Sequence, residues 1–178
     1  MQLKTFGLLT LASILAFSAN AQAEMLYDFY GGVAVGAGAA TIFVSHENET
    51  VSAQSYGLAF GVDIPLVRLE AEYGFLNDDS AKLHAGMANI YFKMPSTVII
   101  PYLGVGVGGI FGGHADNLDI KTKAAYQGML GLTFDMVALP FKLDGEARAL
   151  YAPDFYSAAG VKPDLLHYDL RIKLRYIF

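Results

Sequence analysis

The chain contains no cysteine. That is compatible with an oxidising compartment, and it rules out a lipoprotein, which acylates a cysteine just after its leader. Basic residues are also few: 12 Lys and Arg stand against 17 Asp and Glu, for a net charge of −5. Nucleic-acid binding needs a concentrated basic patch, so no nucleic-acid partner is expected. No amphipathic helical pattern runs through the chain, and no long apolar run is free of helix breakers. Met94 to Gly113 is uncharged for twenty residues, yet it holds Pro95, Pro101 and six glycines. Gly104, Gly106 and Gly108 alternate there with Leu and Val, a period of two that indicates a strand. Phe29 to Ser45 is shorter and carries four glycines. A bundle of membrane helices is therefore not expected.

The N-terminal 23 residues have a separate character. Lys4 supplies a positive start, Phe6 to Phe17 is apolar and uncharged, and Ala21-Gln22-Ala23 has the small-x-small pattern of a signal-peptidase site. An apolar core of about a dozen residues is too short to span a bilayer. Residues 1–23 are expected to be a cleaved signal peptide and 24–178 a single domain, since no linker, charge run or low-complexity tract divides the remainder.

What the chain has in quantity is hydrophobicity, at 54%, together with 19 Gly, 11 Tyr and 12 Phe. This mixture is too apolar for an ordinary soluble domain and too rich in glycine for a helical one. Its order is the stronger signal. From Leu166 to Phe178 the even positions are Leu166, Tyr168, Leu170, Ile172, Leu174, Tyr176 and Phe178, while His167, Asp169, Arg171, Lys173 and Arg175 hold odd ones. Phe141 to Tyr151 and Val67 to Phe75 repeat the design, and 53–63, 99–111 and 122–136 echo it. Eight strands are predicted, at 27–43, 53–63, 67–75, 81–93, 99–111, 122–136, 141–151 and 165–178. An apolar face opposite a charged one, in an even number of strands, predicts an all-β, antiparallel up-and-down transmembrane barrel with lipid outside and charge inside. Short proline-bearing connections (64–66, 95–96, 137–140) alternate with longer polar ones (45–52, 76–80, 112–121, 152–164). The short set and both mature termini are expected in the periplasm and the long set outside the cell. Aromatic residues cluster near strand ends, as interfacial girdles require.

Met87-Ala88-Asn89-Ile90-Tyr91-Phe92, the following Ile100-Pro101-Tyr102-Leu103-Gly104-Val105-Gly106 and the aromatic C-terminus resemble the small eight-stranded outer-membrane β-barrel superfamily. That group includes the surface antigens of alphaproteobacteria, opacity-type proteins and the barrel half of the OmpA type. The resemblance implies an outer-membrane location among lipid and lipopolysaccharide. It further implies that Tyr176 and Phe178 form the terminal signal read by the barrel assembly machinery. The chain stops at the barrel, so no peptidoglycan-binding domain is expected.

The inward positions carry six acids, Asp63, Glu70, Glu72, Asp144, Glu146 and Asp169, and six bases, Arg68, Lys142, Arg148, Arg171, Lys173 and Arg175. An eight-stranded barrel is about wide enough for its own side chains, and unpaired charge in such a space is costly. A salt-bridged filling is therefore expected, with a narrow porin-like channel as the alternative. Gly104 to Gly109 spells a dinucleotide fingerprint, but no helix follows it. The glycines are read as space for bulky side chains of opposite strands. His167 with Asp169, His114 with Asp116, and His46 with Glu47 raise a third possibility, a lipid A-modifying enzyme. No nucleophile-base-acid set is spelled out; His167 is read as a satisfied rim residue and the loop histidines as solvated. No catalytic residue, cofactor or metal site is expected. The expected role is structural support of the outer membrane and display of four loops to a host or cell-surface ligand.

Overall fold

The computed structural model describes residues 27–44, 47–77, 81–115, 118–119, 122–136, 138–154 and 164–178. The leader expected over 1–23, together with His46 and Asp116, lies outside the described residues. The strands are β1 (Asp28–Val44), β2 (Glu47–Asp63), β3 (Val67–Asn77), β4 (Ala81–Lys93), β5 (Ile99–Ala115), β6 (Leu118–Asp119), β7 (Lys123–Asp135), β8 (Phe141–Ala152) and β9 (Asp164–Ile177). The two-residue β6 pairs with the end of β5. The other eight form one closed antiparallel ring in chain order, sealed by β1 against β9.

Closure fixes the width of the lumen. The ladder can be followed once round from Gln54 through Ala37, Leu170, Ala147, Leu130, Leu103, Phe92 and Val67. It returns to Ile64, hydrogen-bonded to Val67 and ten residues beyond Gln54. Eight strands with that stagger tilt by about 41° and place the backbone about 8 Å from the axis. Side chains alone can fill such a bore.

The pleat sorts residues as the alternation requires. Along β9, Tyr168, Leu170, Ile172, Leu174 and Tyr176 are exposed, whereas His167, Asp169, Arg171, Lys173 and Arg175 are buried. The same exposed apolar surface continues as Val33 and Val35, Leu58 and Phe60, Leu103, Val105 and Val107, and Leu130 and Leu132. Tyr56, Tyr126, Tyr151 and Tyr168 edge this belt towards the hairpin end, and Phe29, Phe92, Phe134 and Tyr176 edge it towards the chain termini, all of them exposed. Eight residues of tilted strand separate Tyr168 from Tyr176, giving a belt about 20 Å tall.

Three connections are shorter than the apolar pattern suggests. β1 and β2 remain paired as far as Val44 and Glu47, so residues 47–52 belong to a hairpin rather than the expected loop at 45–52. β3 runs to Asn77, and β5 runs to Ala115 before the β6 pairing, inside the loops expected at 76–80 and 112–121. Hydrophobic alternation stops where lipid stops, but the backbone ladder needs no apolar side chain and continues beyond it.

Candidate functional site in the barrel lumen

Because successive strands bring their inward residues to one axis, charges far apart in sequence meet in layers. At the end holding the termini, Asp63 is bound by Lys93 and receives Arg175 Nη1 at 3.0 Å. Lys142 sits at the rim, 3.5 Å from Asp63 and 3.4 Å from Asp135. Asp144 lies one layer deeper. Arg175 donates to both its oxygens at 2.8 and 2.9 Å, Arg68 Nη1 at 3.0 Å and Thr133 at 2.6 Å.

The middle layer is built on Glu70. Its carboxylate accepts from Lys173 Nζ, Tyr91 Oη and Tyr30 Oη, each at 2.7 Å, and from Asn89 at 3.2 Å. Above it Arg171 forks onto Glu72 at 2.5 and 3.0 Å while its Nε reaches Glu146 at 2.5 Å. Glu146 also accepts from Tyr102 Oη at 2.9 Å. The uppermost layer is Asp169, held by Arg148 at 3.0 and 2.6 Å and by the Ser55 hydroxyl. Bidentate, charge-assisted bonds of this kind are the strong ones, and they satisfy the carboxylates that burial would otherwise penalise.

All twelve charged residues singled out from the sequence face the lumen, and eleven of them are buried. Lys142 is the exception, half-buried at the rim. The charge alternation overlooked Lys93, although it shares a face with Asn89 and Tyr91 opposite Ile90 and Phe92. It also overlooked the neutral members Tyr30, Ser55, Asn89, Tyr91, Tyr102, Gln127 and Thr133, since nothing local says which hydroxyl or amide will meet a carboxylate across the bore.

Towards the hairpin end the filling changes from charged to apolar. Leu76, Leu83, Ala85, Met87, Ile110, Ala125, Leu150, Ala152 and Leu165 form one buried cluster that caps the charged layers. His167 lies at this junction. It is not the rim residue that was expected: it has no exposed surface, Nε2 stands 3.3 Å from Asp169 Oδ2, and Nδ1 has no hydrogen-bond partner. The glycines also act differently. A Cβ on Gly104 would strike Tyr91 and Met129, and one on Gly106 would strike Asn89 and Gln127. These residues are the ladder partners on β4 and β7, not residues opposite, because glycine makes room beside itself on the same wall.

Tyr176 and Phe178 sit on the outer surface at the terminal end, their rings packed edge-on at 5.4 Å. Phe178 N–H donates to Phe29 at 2.9 Å, tying the last residue to the first strand. Among the described residues no group of histidine and carboxylate side chains is arranged to hold a metal ion.

The fold and its inside-out polarity define the class: this is a small eight-stranded outer-membrane-type β-barrel. No family model and no curated protein matches the sequence. Solved structures do. Neisserial surface protein A superposes with a TM-score of 0.68 at 18% identity, over 84% of this chain and 97% of that one. Ail, the attachment invasion locus protein of Yersinia pestis, in complex with the heparin analogue sucrose octasulfate, gives 0.47 at 10% identity over 84% and 99%. The N-terminal β-barrel domain of Pseudomonas aeruginosa OprF gives 0.46 at 17% over 82% and 97%. At 18% identity the likeness to Neisserial surface protein A establishes the fold alone.

Proposed function

We propose that the chain is a non-enzymatic integral protein of the bacterial outer membrane, closed to solutes by its own side chains, that displays its hairpin end to the cell exterior. One observation carries this reading: the apolar belt faces outwards between two aromatic rings while the charges face inwards. A soluble barrel would have the reverse arrangement. The likeness to a protein named as a surface protein supports a surface role. Residues 1–23 serve as the export leader, so protein extracted from membranes begins near Glu24; an N-terminus upstream of Ala21 by mass spectrometry contradicts this. Tyr176 and Phe178, exposed at the terminal end, are available to the assembly machinery. Lipid and lipopolysaccharide surround the belt, and the hairpin end meets any host or cell-surface ligand.

The closed lumen rests on the layered ion pairs. With Lys93 and Asp135 added, the ion-paired lumen and rim groups among the described residues are seven acids and seven bases, and the apolar cap lies over them at the hairpin end. Refolded protein in a planar bilayer at neutral pH is expected to show no sustained conductance. Steady, ohmic channels would instead support the narrow-channel alternative.

A further inference from the structure

We propose that the outer wall around β9 is a binding site for one lipid of the outer leaflet, with an acyl chain seated on each side of an apolar ridge. The proposal rests on the reading that the apolar belt lies in the membrane. It goes further, because a belt needs only mobile lipid as its solvent, whereas this wall is shaped for one molecule.

A depression of about 960 Å³ lies on the outside of the barrel and runs from Tyr56 on β2 to Pro101 on β5. Its centre is a ridge on β9, where Leu170 is the most exposed large hydrophobic residue described, at 71%, with Ile172 beside it. On one side of the ridge Gly145, Ala147 and Ala149 of β8 form a floor, walled beyond by Leu130 and Leu132 of β7. On the other side Ala37 and Ala39 of β1 form a second floor, beyond which Tyr56 of β2 donates to Gln54 at 2.9 Å. The chain does not fill the first floor itself. A Cβ on Gly145 or on the neighbouring Gly128 would meet nothing within 4 Å, whereas one on Gly86, on the outer face of β4, would meet the ring of Phe111 at 3.0 Å.

Width decides the occupant. Each floor is one strand wide, so its walls stand about 9 to 10 Å apart, and one hydrocarbon chain lying between them touches both. A second copy fits poorly. Strands of two barrels standing side by side cross at about 82°, twice the tilt of about 41°, so a partner's ridge could meet a floor at a single point only. Lipid tails are as apolar as leucine, so no hydrophobic gain drives a chain into the floor. Dispersion contact on three sides in place of one holds it there. Tyr168 continues the ridge towards the hairpin end, paired with Ala149 on one floor and Ala39 on the other, and it is exposed. Its hydroxyl can donate to the ester or amide carbonyl that joins the two chains to their headgroup. That arrangement puts the headgroup at the hairpin end and so selects a lipid of the outer leaflet.

The test is native mass spectrometry of the detergent-extracted barrel, expressed from the full chain and titrated with dimyristoylphosphatidylethanolamine and with its one-chain lyso form. Folding of each variant is checked by its heat-modifiable mobility on gels. Wild type is expected to saturate at one two-chain lipid per barrel and to hold the one-chain form several-fold more weakly. Ala147→Leu, which fills one floor, and Ala37→Leu, which fills the other, should each weaken the two-chain lipid several-fold. Tyr168→Phe should weaken it with the stoichiometry kept, and Ala71→Leu, on the outer face of β3, should leave it unchanged. Uptake that does not saturate, or that is equal in wild type and every variant, overturns the site and leaves the lipid belt standing. A lipid-free dimer that the floor-filling variants make monomeric overturns it in favour of a second copy. A barrel that stays in solution without detergent overturns the belt itself. If the floor-filling variants do not fold, Tyr168→Phe and the contrast between two-chain and one-chain lipid in wild type decide the matter.

Discussion

The guanidinium of Arg68 is fully enclosed, yet only Nη1 finds a hydrogen-bond acceptor; Nε and Nη2 have none, and aromatic faces stand where water would be. One nitrogen meets Asp144, and the plane stacks on Tyr91 at 3.8 Å and faces Tyr102 at 4.8 Å. Those two rings cross each other edge to face at 5.4 Å. The room for Tyr91 comes from Gly104, and the room for Asn89 comes from Gly106. Glycines on the inner wall are thus part of the filling, whereas a Cβ on Gly145, on the outer wall, would meet nothing within 4 Å. Gly106→Ala is therefore expected to cost about 1 to 3 kcal/mol through overpacking. Gly145→Ala is expected to be neutral or stabilising by up to about 1 kcal/mol, because alanine loses less backbone entropy on folding. Urea unfolding in lipid vesicles measures both. Equal effects would mean that the inner wall has slack the geometry does not show.

Most of each strand was legible in the sequence because lipid and lumen impose opposite chemistries on adjacent residues. Leu166 to Phe178 spells out its two faces without help from any other part of the chain. Strand ends were less legible: Glu47 to Thr50 is polar on both faces, so only pairing with Thr41 to Val44 shows it to be strand. The partners of each charge were not legible at all. Arg171 meets Glu72 across 99 positions of sequence, a match set by the stagger of the closed barrel rather than by any local pattern. The belt leads to a depth-dependent prediction. Leu130 is exposed midway between the two aromatic rings and Leu66 in a turn at the terminal end. Leu130→Arg is expected to cost about 2 to 4 kcal/mol and Leu66→Arg about 0 to 1 kcal/mol in refolding titrations into bilayers. Equal tolerance of both would place the belt out of lipid.

Across the whole molecule, the filling couples stability to permeability, because the same ion pairs do both jobs. Lys173 depends on Glu70, and Arg171 is shared between Glu72 and Glu146. Replacing Glu70 and Glu72 together by Gln keeps the volume and much of the hydrogen bonding. It leaves Lys173 and Arg148 without those partners and Arg171 with Glu146 alone. A buried cation stripped of its counter-charge costs about 3 to 5 kcal/mol, and less where water can reach it. The double variant should therefore unfold at lower urea than wild type. Removing one of the two surplus positive charges by adding Lys173→Met should recover part of the loss, and a double-mutant cycle isolates the pairwise share. Permeability should move in the opposite direction from stability. A lumen with uncompensated positive charge recruits water and mobile anions, so the Gln variants should conduct at neutral pH with a preference for chloride over potassium, read from the reversal potential in a salt gradient. Wild-type stability combined with unchanged, non-selective conductance would show that these carboxylates are not what closes the bore. The apolar cap would then be the remaining seal.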